Sequence, residues 1–293
     1  MPFIKNIYAR EILDSRGNPT IETEISLKCG IKAHASVPSG ASKGSYEALE
    51  LRDNDINRFH GKGVLKAIKN VNEVIAPHLV NLDVRNQKEI DNIMISLDGS
   101  LNKSNLGANA ILSVSIAVCK AASKYEKIPL YKYLSEEIHS LPTPMMNILN
   151  GGLHASFNID FQEIMIVPSK EMNFKYQMQL GSEIFHSLKQ VLKEKENVTS
   201  VGDEGGFAPI LSSNEEAFDL ILTAIKKTKY ILGKDVFFAI DVAANELYDK
   251  DQKLYILKKD NLALNYKDLV DNFYIPLTKK YPIISIEDPL SPP

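Results

Sequence analysis

The second half of the chain alternates fully apolar strand-like segments with amphipathic helical segments, and this alternation limits the fold more than any other feature. Residues 236–240 form one such apolar segment and residues 283–286 form another. Strands that are apolar on both faces are typical of parallel sheets covered by helices. We therefore predict an α/β domain with parallel strands. Periodicity alone does not distinguish a (β/α) barrel from an open sheet.

Acidic residues follow these apolar strands, at the position where functional residues of a (β/α) barrel cluster. Asp241 ends the strand at 236–240, and Glu287 ends the strand at 283–286. Glu163 lies earlier in its strand, so the argument for it is weaker. Converging carboxylates favour Mg²⁺, which binds few protein carboxylates and keeps several waters. Zinc is disfavoured because no His or Cys pair has the spacing of zinc ligands. A helix N-cap or a surface charge is the alternative for each acid alone.

Two further segments contain candidate catalytic residues. Residues 201–209 place Asp203 and Glu204 between glycines, and a proline closes the segment. A carboxylate held in such a glycine-lined turn is a candidate general acid or base, although an ordinary turn has the same composition. His154 follows a Gly-Gly-Leu sequence just beyond a strand, where contact with a substrate and a structural hydrogen bond are about equally expected.

The first half of the chain has a different pattern. Residues 3–37 predict an antiparallel meander of three strands, because Ile21 and Ile25 alternate with Glu22 and Glu24. Amphipathic helices follow, the first of which should end at Pro77. This order predicts an α+β domain at residues 1–138, followed by a second domain at 139–293. The small, glycine-rich loop at residues 38–45 is either a linker or a lid.

The composition excludes several classes of protein. A net charge of −3 gives no basic surface for nucleic acid. Two cysteines, predicted to be buried thiols, suit a reducing cytosol. The N-terminus does not look like a signal peptide. The most apolar helical segment, residues 108–122, is shorter than the ~20 residues of a membrane span.

Six motifs together resemble the enolase family, and they occur in the family's order and spacing. The motifs are Asp14-Ser15-Arg16-Gly17-Asn18-Pro19-Thr20, Val37-Pro38-Ser39-Gly40-Ala41-Ser42, Leu106-Gly107-Ala108-Asn109-Ala110, Asn150-Gly151-Gly152 with His154-Ala155, Gly202-Asp203-Glu204-Gly205-Gly206, and Ser285-Ile286-Glu287-Asp288-Pro289. The resemblance covers the whole chain. It implies an N-terminal capping domain followed by the first half of an enolase-type (β/α)8 barrel.

The resemblance also implies a reaction, the Mg²⁺-dependent dehydration of 2-phosphoglycerate to phosphoenolpyruvate. In the family a lysine takes the C2 proton, two Mg²⁺ ions stabilise the developing charge, and a glutamate protonates the departing C3 hydroxyl. The resemblance implies that Glu204 is the proton donor. It also implies that Asp241 and Glu287 bind the first Mg²⁺ and that Ser42 reaches the second. The residues implied to contact the substrate or assist the acid are His154, Gln162 and Glu163. The implied setting is a cytoplasmic homodimer, and some enolases also occur at the cell surface or are secreted.

The sequence departs from the family pattern at its end. By resemblance, the base lysine, the third metal aspartate and a His-Arg-Ser substrate loop should follow Glu287, and no residue of the 293 matches them. We therefore expect a truncated, inactive chain with an open barrel and poor solubility. The alternative is a non-catalytic product that binds a partner such as plasminogen through lysines such as Lys258 and Lys259. A dehydratase or racemase for acid sugars, from the same superfamily, is disfavoured by the motifs at residues 38–42 and 202–206.

Overall fold

The computed structural model describes residues 1–40, 44, 46–135, 137, 140–155, 157–202 and 205–291, and of His154 only the backbone. The chain divides into two compact units, Met1–His139 and Ser140–Pro293. Each unit contains its own hydrophobic core.

The first unit begins with a three-stranded antiparallel sheet, which confirms the predicted meander. Its strands are β1 (Ile4–Leu13), β2 (Pro19–Leu27) and β3 (Lys32–Ser36), in the order β1-β2-β3. Ile21 and Ile25 of β2 are fully buried, whereas Glu22 and Glu24 between them are only partly buried. Cys29 lies in the turn after β2 and is exposed, so the prediction of a buried thiol is wrong there. Cys119 is buried as predicted.

Helices follow and pack on this sheet. They are α1 (Leu65–Lys69), α2 (Ala76–Leu79), α3 (Gln87–Asp98), α4 (Ala108–Glu126) and α5 (Leu130–Leu134). Helix α4 contributes Val114, Ala117 and Ala121 to the core beside β2 and β3. The predicted stop at Pro77 is wrong, because a π-helical turn (Asn70–Ile75) joins α1 to α2. Pro77 then lies in the first turn of α2, where the N–H that it lacks is not needed.

The second unit is built on a four-stranded sheet with a separate three-stranded ribbon. The strands are β4 (Met146–Asn150), β5 (Glu163–Pro168), β6 (Val236–Asp241), β7 (Tyr248–Asp249), β8 (Leu254–Leu257), β9 (Leu262–Leu264) and β10 (Ile283–Glu287). The order in the sheet is β10-β6-β5-β4. Only β6 and β10 pair in parallel, whereas β5 is antiparallel to both β4 and β6. The prediction of parallel strands is therefore wrong for β5.

The number of connecting helices explains the strand directions. Two helices, α6 (Phe174–Glu194) and α7 (Asn214–Lys226), connect β5 to β6. Helix α6 returns the chain to the end of the sheet where β5 began. Helix α7 then runs back to the end where β5 finished, so β6 starts there and runs antiparallel to β5. Between β6 and β10 a single helical segment crosses back, and the strands are parallel. That segment comprises α8 (Tyr266–Leu269), a π-helical turn (Val270–Tyr274) and α9 (Ile275–Lys280).

The two faces of this sheet have different partners. Ile164, Ile166, Phe238 and Ile240 point to the face that joins the main core with α6 and α7. The alternate residues Met165, Val167 and Ala239 form a small cluster of their own. In the described part of the chain, no helix has the length and apolar character needed to cross a membrane.

Candidate active site

Four polar side chains lie in one row across the sheet of the second unit. Asn150 pairs with Glu163, Glu163 pairs with Asp241, and Asp241 pairs with Glu287. Because β5 runs antiparallel to β6, its first residue lies at the same edge as the last residues of β6 and β10. The position of Glu163 early in its strand is therefore no argument against it. The structure places Glu163, Asp241 and Glu287 in one register row at this end of the strands.

Asp241 is half-buried, and within the described part of the chain its carboxylate accepts two hydrogen bonds. Its Oδ1 accepts from the Ala243 N–H at 2.9 Å, and its Oδ2 accepts from Gln162 Nε2 at 3.2 Å. Burial raises the pKa of Asp241, and the nearby carboxylates of Glu287 and Asp288 raise it further, against the lowering effect of the two hydrogen bonds. The ionised form is thus poorly compensated, and a bound cation would relieve both the burial and the repulsion.

Gln162 ends the loop between β4 and β5, and a backbone hydrogen bond joins it to Gly151 at the start of that loop. The Gly151 N–H donates to the Gln162 carbonyl at 2.9 Å, and the Gln162 N–H donates to the Asp241 carbonyl at 3.0 Å. A Cβ on Gly152 would lie 3.2 Å from Cα of Gln162, and φ of Gly152 is +51°, so glycine suits this position. Gln162 Oε1 is buried without a hydrogen-bond partner among the described residues. His154 lies in the adjacent 3-10 turn (Gly152–Ala155).

The turn after Glu287 is fixed to the segment after Asp241. Val242 N–H donates to the Glu287 carbonyl at 3.1 Å, and Ala244 N–H donates to the Asp288 carbonyl at 3.1 Å. Asp288 and Ala243 adopt left-handed backbone conformations, with φ of 44° and 47°. Such conformations cost energy for residues with a Cβ and are found at functional sites. These contacts hold the ends of β6 and β10 side by side.

The segment with the Gly-Asp-Glu-Gly-Gly motif docks beside β4. Phe207 N–H donates to the Ile148 carbonyl at 3.0 Å, and the Phe207 carbonyl accepts from the Asn150 N–H at 2.8 Å. The segment closes on itself because Gly202 N–H donates to the Gly206 carbonyl at 2.9 Å. Asp203 and Glu204, and the predicted metal ligand Ser42, lie outside the described residues.

The residues that are described fit a magnesium ion with two protein ligands. Asp241 and Glu287 offer carboxylate oxygens from adjacent strands, and Mg²⁺ commonly binds one or two carboxylates with waters. Among the described residues, no three His, Cys, Asp or Glu side chains come together as a metal site. A second metal would need ligands from outside this set.

Sequence reasoning missed two polar features of this region. Asn150 belonged to a quoted motif, but its side chain had no predicted role, although it is fully buried. Asp160, also buried, accepts from the backbone N–H groups of Lys258 and Lys259, both at 3.0 Å, and from Asn214 Nδ2 at 2.8 Å. It thereby ties the loop before Gln162 to the ribbon. No local sequence signal identifies Asp160, because its partners are 54 to 99 residues away.

Comparison with protein families agrees with this architecture. Residues 4–134 match the family model described as the enolase N-terminal domain. Residues 138–292 match the enolase C-terminal TIM barrel domain. Together the two matches span nearly all of the 293 residues, in the order of an α+β unit followed by a barrel-type unit. The chain belongs to the enolase family.

Proposed function

We propose that the chain supplies the Mg²⁺ ligands and the proton donor of an enolase active site. In glycolysis and gluconeogenesis, such a site dehydrates 2-phosphoglycerate to phosphoenolpyruvate. One observation carries the proposal: Glu163, Asp241 and Glu287 occupy one register row at the edge of the sheet. Family membership supplies the reaction class, and the row supplies carboxylates where a metal and a substrate would meet.

Each residue has a proposed role. Asp241 and Glu287 would hold the first Mg²⁺, which when bound neutralises charge that develops on the substrate. Gln162 donates to Asp241 Oδ2 at 3.2 Å and so orients one of these carboxylates. We assign contacts with the substrate to His154, Gln162 and Glu163. Glu204 is the proposed proton donor, and Ser42 the proposed ligand of a second Mg²⁺.

The proposal includes a limit on what the 293 residues do alone. By resemblance, the base lysine and the third metal aspartate match no residue among them. A missing general base typically costs about 10²–10⁴-fold in rate. We therefore propose that the 293-residue chain does not turn over 2-phosphoglycerate at a measurable rate.

The test is a phosphoenolpyruvate formation assay with the purified chain and Mg²⁺, prepared from a host whose own enolase is removed. The expected result is no turnover. Turnover that disappears in Glu204→Gln would contradict the proposed inactivity while supporting the enolase site. Turnover that persists in both Glu204→Gln and Asp241→Asn would overturn the assignment of the residues.

The assembly and setting of the protein are also proposals. Family membership favours a homodimer in the cytoplasm, and analytical ultracentrifugation of the purified chain would test the dimer. No observation favours the alternative role in plasminogen binding through Lys258 and Lys259. Lys259 Nζ donates to the Leu211 carbonyl at 3.1 Å, and Lys258 Nζ lies 5.6 Å from the centre of the Phe157 ring.

A further inference from the structure

Asn150 is the buried polar residue of the site row that the proposed reaction leaves without a role. It is fully buried at the end of β4. Its side-chain Oδ1 accepts a hydrogen bond from Asn147 Nδ2. Asn150 Nδ2 and Asn147 Oδ1 are both buried without a partner among the described residues. A buried amide group without a hydrogen-bond partner is unfavourable, so the burial of these two asparagines needs a structural reason.

The backbone of Gly206 packs directly against this pair. A Cβ on Gly206 would lie 2.8 Å from Asn147 Oδ1 and 2.8 Å from Asn150 Oδ1. It would also lie 2.8 Å from the backbone nitrogen of Leu149. Real Cβ atoms do not approach so closely, so only the hydrogen of a glycine fits between the two amide oxygens and the strand.

Hydrogen bonds on both sides of Gly206 transmit its position to the rest of the segment. Phe207 is bonded to β4 through Ile148 and Asn150, as described above. On the other side, the Gly206 carbonyl accepts from Gly202, and the Gly202 carbonyl accepts from the Gly205 N–H at 3.1 Å. The asparagine pair therefore supports Gly206 and, through these hydrogen bonds, Gly202 and Gly205, the two residues that flank Asp203 and Glu204 in the sequence.

We infer that Asn150, together with Asn147, is a positioning residue that seats Gly206 on β4 and so fixes the segment that carries Glu204. The inference rests on the proposed function only for the importance of Glu204. The positioning of Gly206 by the two asparagines is argued from the packing of their amides against Gly206.

The first test measures hydrogen exchange of residues 201–207 in the purified 293-residue chain. In Asn150→Ala we expect hydrogen exchange of residues 201–207 to rise by about tenfold or more, because the packing of Asn150 against Gly206 no longer opposes local opening. The matched control is Asn109→Ala, which removes a buried amide in the other unit that bonds to both backbone groups of Leu51 at 3.1 Å. Equal exchange of residues 201–207 in the two variants would overturn the inference.

A double-mutant cycle tests direct packing between Asn150 and Gly206. Gly206→Ala introduces the clash described above and should lower the urea midpoint of unfolding. In the Asn150→Ala background the same substitution should cost less, because one of the three close contacts is gone while Asn147 Oδ1 and the Leu149 nitrogen remain. Additive effects would contradict the inference. If Asn150→Ala does not fold, Asn147→Ala, at a half-buried position, serves in the same cycle.

A third measurement reads the position of Glu204 itself. The carboxyl signal of Glu204, assigned with Glu204→Gln, is titrated by carbon NMR in wild type, Asn150→Ala and Asn109→Ala. We expect a change of at least about 0.5 in the pKa of Glu204 in Asn150→Ala only. A change that is equal in both variants, or absent from both, would show a structural role alone. None of these measurements needs Mg²⁺ or substrate, so they stay decisive even if the enolase assay or metal binding fails.

Discussion

Two aspartates, one in each unit, show opposite ways of removing a carboxylate from water. Asp98 in the first unit is only 2% exposed, and it ends helix α3. Its oxygens accept from the N–H groups of Leu106 at 2.7 Å, Ser100 at 2.9 Å and Asn105 at 3.1 Å, and also from the Ser100 hydroxyl. Burial alone would raise the pKa of Asp98, but these hydrogen bonds outweigh burial and hold the pKa below its usual value.

Asp241 in the second unit is less buried than Asp98, yet its carboxylate receives less compensation. Among the described residues it has two hydrogen-bond donors where Asp98 has four, and the carboxylates of Glu287 and Asp288 lie nearby. Its pKa is raised instead of lowered. A carboxylate whose lone pairs are all used holds a loop together, whereas one left with spare lone pairs and acidic neighbours is suited to a cation.

The largest effect should come from removing the satisfied carboxylate. Asp98→Ala removes the acceptor of three backbone N–H groups, of which that of Leu106 is buried and those of Ser100 and Asn105 are partly buried, so we expect a loss of about 3 kcal/mol in the free energy of unfolding. Urea denaturation measures this loss. The control is Asp55→Ala, which changes an exposed aspartate of the same unit and should have a much smaller effect. Similar losses in both variants would show that the hydrogen-bond pattern of Asp98 does not decide its contribution.

The second largest effect should be on the affinity for Mg²⁺, which we expect to depend on Asp241 and not on Asp98. We expect Asp241→Asn to weaken binding of Mg²⁺, or of Mn²⁺ used as its probe, by at least about tenfold, while the urea midpoint without metal does not fall. Isothermal titration calorimetry of the 293-residue chain measures the affinity. Asp251→Asn, an exposed position on the ribbon, should bind as wild type does. Unchanged affinity in Asp241→Asn would remove this residue from the proposed site.

The dependence of stability on pH should have opposite signs at the two positions. Asp98, with a lowered pKa, contributes stability that is present above its ordinary value of 3.8 and is lost as the pH falls through its lower folded value. Asp241, with a raised pKa, binds its proton more tightly when folded. Its ionisation therefore lowers stability as the pH rises from 3.8 to its higher folded value.

Urea midpoints between about pH 3 and pH 7, without added metal, test this pair of signs. The stability of Asp241→Asn relative to wild type should increase as the pH rises above 3.8. The deficit of Asp98→Asn should shrink as the pH falls below 3.8. Parallel curves for the wild type and both variants would mean that neither carboxylate is perturbed in the folded chain.

The same contrast explains how much of the molecule could be predicted from the sequence. The strands ending on Asp241 and Glu287 were predictable because an apolar run followed by an acid is a local pattern. The direction of β5 was not, because it depends on two consecutive helices returning the chain to the same end of the sheet. The packing of Gly206 against Asn150 was not predictable either. These residues are 56 positions apart, and packing against the backbone leaves no local sequence pattern. The acids of the site were thus predictable, whereas the groups that orient them were not.

The smallest expected effect concerns the repulsion between the two proposed metal ligands. Glu287→Gln removes the charge of Glu287 and should lower the pKa of Asp241 by less than about one unit, because Glu287 is exposed and its charge is screened by water. The pKa should still stay above 3.8, since burial is the larger cause of the shift. Carbon NMR titration of the Asp241 carboxyl without metal measures the change. Added salt should reduce the difference between wild type and variant. An unchanged pKa would show that the two carboxylates do not interact, and a value below 3.8 would show that repulsion, instead of burial, is the main cause of the raised pKa of Asp241.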